Sequence, residues 1–475
     1  MKRSALLLGG PACLLGVLVL PPPGGMEEAA WRVAGLAAWM ALWWLTGVIA
    51  LEATALLPIV FLPLLGARPL GQVTASYADP VIFLFLGGFL LAATLERWEL
   101  HRRVALAAVS MVGVEARRVV LAFLLASAAV SMWISNTATA VMMLPIALAV
   151  TAGRGSRSGG FPTALMLAVA YGSSIGGVAT LIGTPPNAIF AANARELLGR
   201  EVSFGDWMVL GLPVALVMCL ICWVVLVTTF GVRGTVSGLE EHIRREAASL
   251  GRMEFGERFV MGIFGATALA WIFREPKVLG AVRIPGLSDF LPGISDPAIA
   301  IAAALLLFVV PLPRSRYRVA LDWDTARTIP WGILLLFGGG LALAGAFEAS
   351  GLTQWIGARL EGLRGAPPVL IALSCTTLFV FLTELTSNTA TAALGMPLLA
   401  GVAGGLGVPG LPLMAAGALG ASMAFMLPVA TPPNAIVFGS GAVGPGDMAR
   451  AGLTLNFASI LVVTVSVMLW GTFWS

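Results

Sequence analysis

Two short polar strings each occur twice in this 475-residue chain. Ser-Asn-Thr-Ala-Thr-Ala fills 135–140 and returns at 387–392; Thr-Pro-Pro-Asn-Ala-Ile fills 184–189 and returns at 431–436. Each Ser-Asn-Thr string is followed by a proline ten residues after its serine, Pro145 and Pro397. Small polar residues inside an apolar segment break a helix by hydrogen-bonding their own backbone. A helix that restarts there presents an N-terminus, with unpaired N–H groups and a partial positive charge. Such an end attracts carboxylate or phosphate oxygens without placing a full charge in the membrane. The helix that stops there ends in free carbonyls, which suit a hard cation such as sodium.

The second string complements the first. Pro185 and Pro186 clash with the carbonyls of Leu181 and Ile182 and donate no hydrogen bond, while Gly183 lets the unwound backbone turn. Pro432 and Pro433 do the same to Pro428 and Val429. Unwound backbone deep in a membrane is tolerated only where it lines a cavity, so its freed carbonyls are expected to face the Ser-Asn-Thr tip. Each half of the chain thus offers the parts of one cation site. A single copy of either string would ordinarily be a packing or kink feature; two copies of both, in the same order, argue against that.

The surrounding sequence explains how such parts are held. Hydrophobic residues make up 58% of the chain and charged ones 11%, against about 25% charged in a soluble protein. The apolar runs are long and lack strand alternation, which excludes a soluble domain and a β-barrel. The formal charge of +4 comes from arginine between the runs and speaks to membrane orientation, not to nucleic acid. Cys219 and Cys222 form a CxxC with no second pair, and only His101 and His242 could join them, so a metal site of that kind is not expected. No His, Asp or Cys constellation at depth suggests an intramembrane enzyme.

Spans are read near 4–22, 29–49, 51–66, 78–97, 161–192, 207–230, 257–274, 296–312, 329–350, 410–440 and 452–474, about 11 in all. With Lys2 inside, 19 of the 28 lysines and arginines fall on the inner side, placing the N-terminus in the cytoplasm and the C-terminus outside. Two apolar stretches do not read as single spans. Val119–Val150 is flanked by Arg117–Arg118 and by Arg154 and Arg157, with Ser-Asn-Thr near its middle; an entering and returning hairpin fits best. The stretch 366–402 has the same plan. The motif pairs, with Phe85-Leu86-Gly87-Gly88 matching Leu336-Phe337-Gly338-Gly339, are offset by 252, 247 and 251 residues, which marks a duplication. Five spans and one hairpin per copy make the copies oppositely oriented, the pattern of secondary transporters with a midplane site.

The expected organisation is therefore a first, uncleaved span in 1–28, a first repeat over 29–232 (hairpin 119–150, broken helix 161–192) and a cytoplasmic amphipathic linker over 233–256. A second repeat covers 257–475 (hairpin 366–402, broken helix 410–440). The fold class is an all-α membrane protein with two re-entrant helical hairpins in inverted repeats. Ser237 and Glu240 form a capping-box pattern opening an amphipathic segment to residue 255, and 98–116 and 352–364 read as short interfacial helices.

Two Ser-Asn-Thr hairpins and two Thr-Pro-Pro-Asn loops in inverted repeats resemble the divalent anion/sodium symporter family of dicarboxylate, citrate and sulfate carriers, over nearly the whole chain. The resemblance implies a homodimer with a scaffold and a mobile transport domain, working as an elevator in a bacterial inner membrane. It implies a first sodium site from Ser131, Ser135, Asn136 and the backbone of Gly183, and a second from Thr383, Thr386, Asn388 and the backbone of Ala430. Substrate carboxylates would meet Ser135, Asn136 and Thr137 at one tip and Ser387, Asn388 and Thr389 at the other. Thr431 and Pro432 would line the same pocket, with Thr184 and Pro185 as weaker counterparts. Ala430 stands where the first repeat has Gly183, so the two cation sites need not be equivalent.

No lysine or arginine lies inside the hairpins or broken spans, so a dianion there is expected to be held by dipoles and co-bound sodium. The expected cargo is a C4-dicarboxylate (succinate, malate or fumarate) imported with sodium, and no organic cofactor. A sulfate, citrate or tartrate carrier, a sodium-independent exchanger, and an arsenite- or proton-linked permease are the alternatives. Glu384, three residues before the second Ser-Asn-Thr, either orients its hairpin by hydrogen bonds or senses protons or cations.

Overall fold

A computed structural model of the chain describes residues 2–110, 113–151, 160–236, 239–279, 282–313 and 315–474. Arg154 and Arg157, the basic flank of the first hairpin stretch, and Ser237, the proposed cap, lie outside them. Among the described residues, six helices are long and apolar enough to cross a membrane: Leu70–Arg97, Phe204–Thr229, Phe255–Ile272, Trp331–Ala349, Asn388–Leu406 and Pro445–Gly471. Their outer faces are apolar. Leu216, Leu220 and Val224 on the second of these, and Leu461, Val465 and Leu469 on the last, recur at helical spacing and are exposed, as contact with lipid requires.

Val119–Val150 is not one rod. A helix Ala116–Ser131 stops, Met132–Ser135 is non-helical, and a second helix Asn136–Thr151 begins. The later stretch divides in the same way, into Pro368–Thr383 and Asn388–Leu406. This last arm has 19 residues and runs four positions beyond the expected 402. Both Thr-Pro-Pro-Asn strings also sit where a helix restarts. Phe161–Gly177 and Pro185–Leu198 flank the first break, and Gly410–Ser422 and Pro432–Gly439 flank the second. In both cases proline occupies the first turn, where its missing N–H costs nothing.

The two halves interlock around these breaks. The arms of the first hairpin pack on Phe161–Gly177, and those of the second pack on Gly410–Ser422. Pro185–Leu198 then packs on Asn388–Leu406 and Gly410–Ser422, while Pro432–Gly439 packs on Phe161–Gly177 and Asn136–Thr151. A second group surrounds this body. Pro80–Arg97 lies on Asp296–Val309, and Trp331–Ala349 lies on the 51–76 segment. The Gly-Gly pairs are notches at these crossings: a Cβ at Gly87 would strike Ala300, and Cβ atoms at Gly338 and Gly339 would strike Tyr77 and Ala55.

The structure corrects three expectations. Residues 51–66 form two short helices, Leu51–Thr54 and Leu57–Leu64, rather than one continuous helix. Pro58 in the first turn of the second helix favours a fresh start there, and hydropathy alone does not register it. The chain is not purely helical: Lys277–Leu279 and Val282–Ile284 form a two-stranded antiparallel ribbon, rich in the β-branched residues that fit a pleated strand. The broken helix read as 161–192 runs on to Leu198, where Gly199 in the left-handed region caps it.

The linker helix, Leu239–Ser249, is not free in solvent. Arg102 of Leu100–Ser110 reaches Glu246 at 2.5 Å. Arg103 reaches the Leu250 carbonyl at 2.7 Å and Glu257 at 3.1 Å.

Candidate substrate and cation site

At each hairpin break, the last hydroxyl of the first arm holds the first amide of the second. Ser131 Oγ donates to Asn136 Oδ1 at 2.8 Å, and Thr383 Oγ1 donates to Asn388 Oδ1 at 2.7 Å. Both hydroxyl residues are fully buried. Each amide oxygen keeps a lone pair for a further partner. The tips differ in capping. Ser135 Oγ accepts the Ala138 N–H at 3.1 Å, whereas Ser387 makes no side-chain cap and leaves the N–H groups of its first turn available.

The unwound loops are held by the asparagine of each Thr-Pro-Pro-Asn string. Asn187 Nδ2 donates to the Gly177 and Thr180 carbonyls at 3.1 and 2.7 Å; Asn434 Nδ2 donates to the Ala424 and Leu427 carbonyls at 3.3 and 3.0 Å. Both asparagines are fully buried, so their amides substitute for helical hydrogen bonds that the prolines removed. Thr180 Oγ1 also donates to the Met132 carbonyl at 2.6 Å, tying the first loop to the first hairpin break. Gly183 and Gly177 allow the closest approaches. A Cβ on Gly183 would run into the Gly177 backbone, and one on Gly177 would run into the Asn136 amide.

These parts meet. One cavity of about 740 Å³ is lined by Ser135, Asn136 and Thr137 from the first tip and Ser387, Asn388 and Thr389 from the second. Gly183, Thr184 and Pro185 line it from one loop, and Ala430, Thr431 and Pro432 from the other. Ser131 and Thr383 stand behind that wall, touching it through the two asparagines. Thr386 lines the cavity, but its hydroxyl is engaged with the Leu382 carbonyl at 2.9 Å and with Thr391 Oγ1 at 2.6 Å, leaving backbone as its free contribution. The facing wall is apolar, with Trp44, Leu45, Phe89 and Ile333 from the surrounding helices. Among the described residues, no lysine, arginine, aspartate or glutamate lines this cavity. Neutral oxygens on one side and apolar side chains on the other fit a small hard cation and a compact anion better than a hydrophobic ligand.

Sequence reasoning placed the tips and loops together but did not assign roles to Asn187, Asn434 or Tyr171. Duplication of the asparagine within the Thr-Pro-Pro-Asn string was the available signal for the first two. Tyr171, fully buried, donates to the Phe425 carbonyl at 2.8 Å and has no counterpart in the second half, so no repeat could have flagged it.

Comparison with known proteins gives the family. The profile of a family described as sodium:sulfate symporter transmembrane region matches residues 2–474. The chain belongs to that family. Family members are membrane transporters, not enzymes. The chain is 38% identical over 473 residues to the sodium-dependent dicarboxylate transporter SdcS of Staphylococcus saprophyticus, covering 97% of this chain and 90% of that protein. It is 39% identical to SdcS of Staphylococcus aureus with the same coverage. Among solved structures, the fold is shared with the YdaH transporter of Alcanivorax borkumensis, at a TM-score of 0.56 and 15% identity, covering 93% of this chain and 98% of that one. It is shared as well with MtrF of Neisseria gonorrhoeae, at a TM-score of 0.55 and 14% identity, covering 98% and 94%.

Proposed function

We propose that this protein imports small dicarboxylates of the succinate, malate and fumarate class together with sodium across a bacterial inner membrane. The observation that carries the reading is the single cavity into which both Ser-Asn-Thr tips and both unwound loops open without a cationic side chain. A dianion in such a place needs compensation that neutral dipoles alone do not provide. Sodium bound by Ser131, Ser135, Asn136 and Gly183 on one side, and by Thr383, Thr386, Asn388 and Ala430 on the other, supplies it. The two tips then hold one carboxylate each, with Thr431 and Pro432 beside the substrate and Thr184 and Pro185 opposite. The names of the staphylococcal relatives support both the cation and the anion class.

In this reading the two hairpins are re-entrant, the repeats are inverted and the remaining helices make about 11 crossings, with the N-terminus in the cytoplasm. The body built from hairpins and broken helices moves as an elevator against the surrounding helices of a homodimer. Uptake of labelled succinate into proteoliposomes tests the function. An inward sodium gradient should drive accumulation that a choline gradient does not, and equal uptake under both would refute the coupling. Competition by unlabelled sulfate, citrate and tartrate in the same assay decides the anion class.

A further inference from the structure

Glu384 sits at the break of the second hairpin and is 3% exposed. Its carboxylate takes four hydrogen bonds, and every partner is a donor. Oε1 accepts from the backbone N–H of Phe425 at 2.7 Å and of Met426 at 2.9 Å, and from Asn456 Nδ2 at 2.8 Å; Oε2 accepts from the Leu427 N–H at 3.0 Å. All four bonds are donations into the carboxyl oxygens, the pattern by which a carboxylate is held. The three backbone donors belong to the loop that leads to Ala430. The neighbouring residue, Thr383, holds Asn388. In the first half the equivalent position is Met132, and the loop is joined there by the uncharged bond from Thr180 Oγ1 to the Met132 carbonyl. The two halves match in their tips and loops but differ in charge behind them.

We propose that Glu384 is the fixed counter-charge of the second cation site, a positioning residue that shapes the loop carrying Ala430 and adds one negative charge behind the sodium bound there. The second site then binds sodium more tightly than the first and fills before it. This rests on the sodium-coupled reading above. A bound cation at the second site feels the carboxylate across a water-poor interior, where charges are weakly screened. The four donors disperse the charge without cancelling it, and keep it from coordinating the sodium directly.

The test is the sodium activation curve of succinate uptake in proteoliposomes, with four proteins side by side. Glu384→Gln should move half-saturating sodium up about tenfold, equivalent to about 1.4 kcal/mol, while the KM for succinate at saturating sodium stays within about threefold of the native protein. The swap Glu384→Gln with Asn456→Asp returns a carboxylate to the same hydrogen-bonded cluster and should restore the native curve. Asn456→Ala removes one hydrogen bond but no charge and should leave the sodium curve in place. A native sodium curve in Glu384→Gln, or an equal shift in Asn456→Ala, overturns the proposal. Where Glu384→Gln does not fold, the swap decides: native sodium dependence supports a charge role, and a tenfold shift overturns it. Native protein that ignores sodium would instead overturn the transport reading, so the two failures are told apart.

Discussion

Tyr171 and Phe425 lie 254 positions apart in the chain and are joined by a 2.8 Å hydrogen bond from the phenolic hydroxyl to the backbone oxygen. Their rings also meet edge to face at 5.2 Å. The bond links the first broken helix to the loop of the second half, where the Phe425 N–H is held by Glu384. Tyr171→Phe would leave that buried carbonyl without this donor, at a cost of about 1–3 kcal/mol. The purified variant should melt several degrees lower than the native protein in the same detergent. An unchanged melting temperature would show that the bond contributes nothing to holding the halves together.

Asn136 and Asn388 are each the first residue of a second hairpin arm, and each faces the cavity with its amide oxygen held by a buried hydroxyl. Asn136→Ala and Asn388→Ala each remove a proposed cation ligand and the partner of that hydroxyl. Sodium-driven succinate uptake should fall at least about a hundredfold in either variant, with folding judged by gel filtration. Native uptake in one of them would remove that residue from the site.

Gly183 and Ala430 occupy equivalent places, yet a Cβ at Gly183 would strike the Gly177 backbone, whereas Ala430 already carries one. Gly183→Ala should therefore raise half-saturating sodium by about tenfold or more, because the loop must shift away from the Gly177 backbone to admit the methyl group. Ala430→Gly should change it less than about threefold. Equal responses in the two variants would mean that loop geometry does not set cation affinity.

Asn187 and Asn434 each bind two carbonyls of an unwound loop. Replacing either with alanine frees two buried acceptors, roughly 1–3 kcal/mol apiece when left unsatisfied. Thermal-shift titration with sodium should show a smaller stabilisation in Asn187→Ala and Asn434→Ala than in the native protein. A full sodium response in both would confine the asparagines to a role in folding.

Much of the site was legible because it is written twice. Identical strings at offsets of 252 and 247 identify Ser135–Thr137 with Ser387–Thr389 and Thr184–Pro185 with Thr431–Pro432, and proline chemistry dictates where those helices stop. What the sequence hid is what the halves do not share. Glu384 draws its donors from residues 41, 42, 43 and 72 positions away, a ring that no local pattern announces. Thr386 pairs with Thr391, but Ile134 stands at the matching place in the first half, and the Thr139 hydroxyl is left buried without a partner. The break between Leu51–Thr54 and Leu57–Leu64 lies in a mostly apolar stretch, where hydropathy carries no information about turns. The strands Lys277–Leu279 and Val282–Ile284 are three residues each, too short to register in a hydropathy pattern.

The wall shared by the two tips contains no guanidinium or ammonium group. A carrier with such a group could grip its anion at any time and let it ride across alone, dissipating the gradient that the cell maintains. Here an anion arriving without companion ions meets only neutral dipoles, since among the described residues no positively charged side chain lines the cavity. Slippage of the anion is thereby discouraged by construction, and coupling in the proposed transport comes from what the pocket lacks.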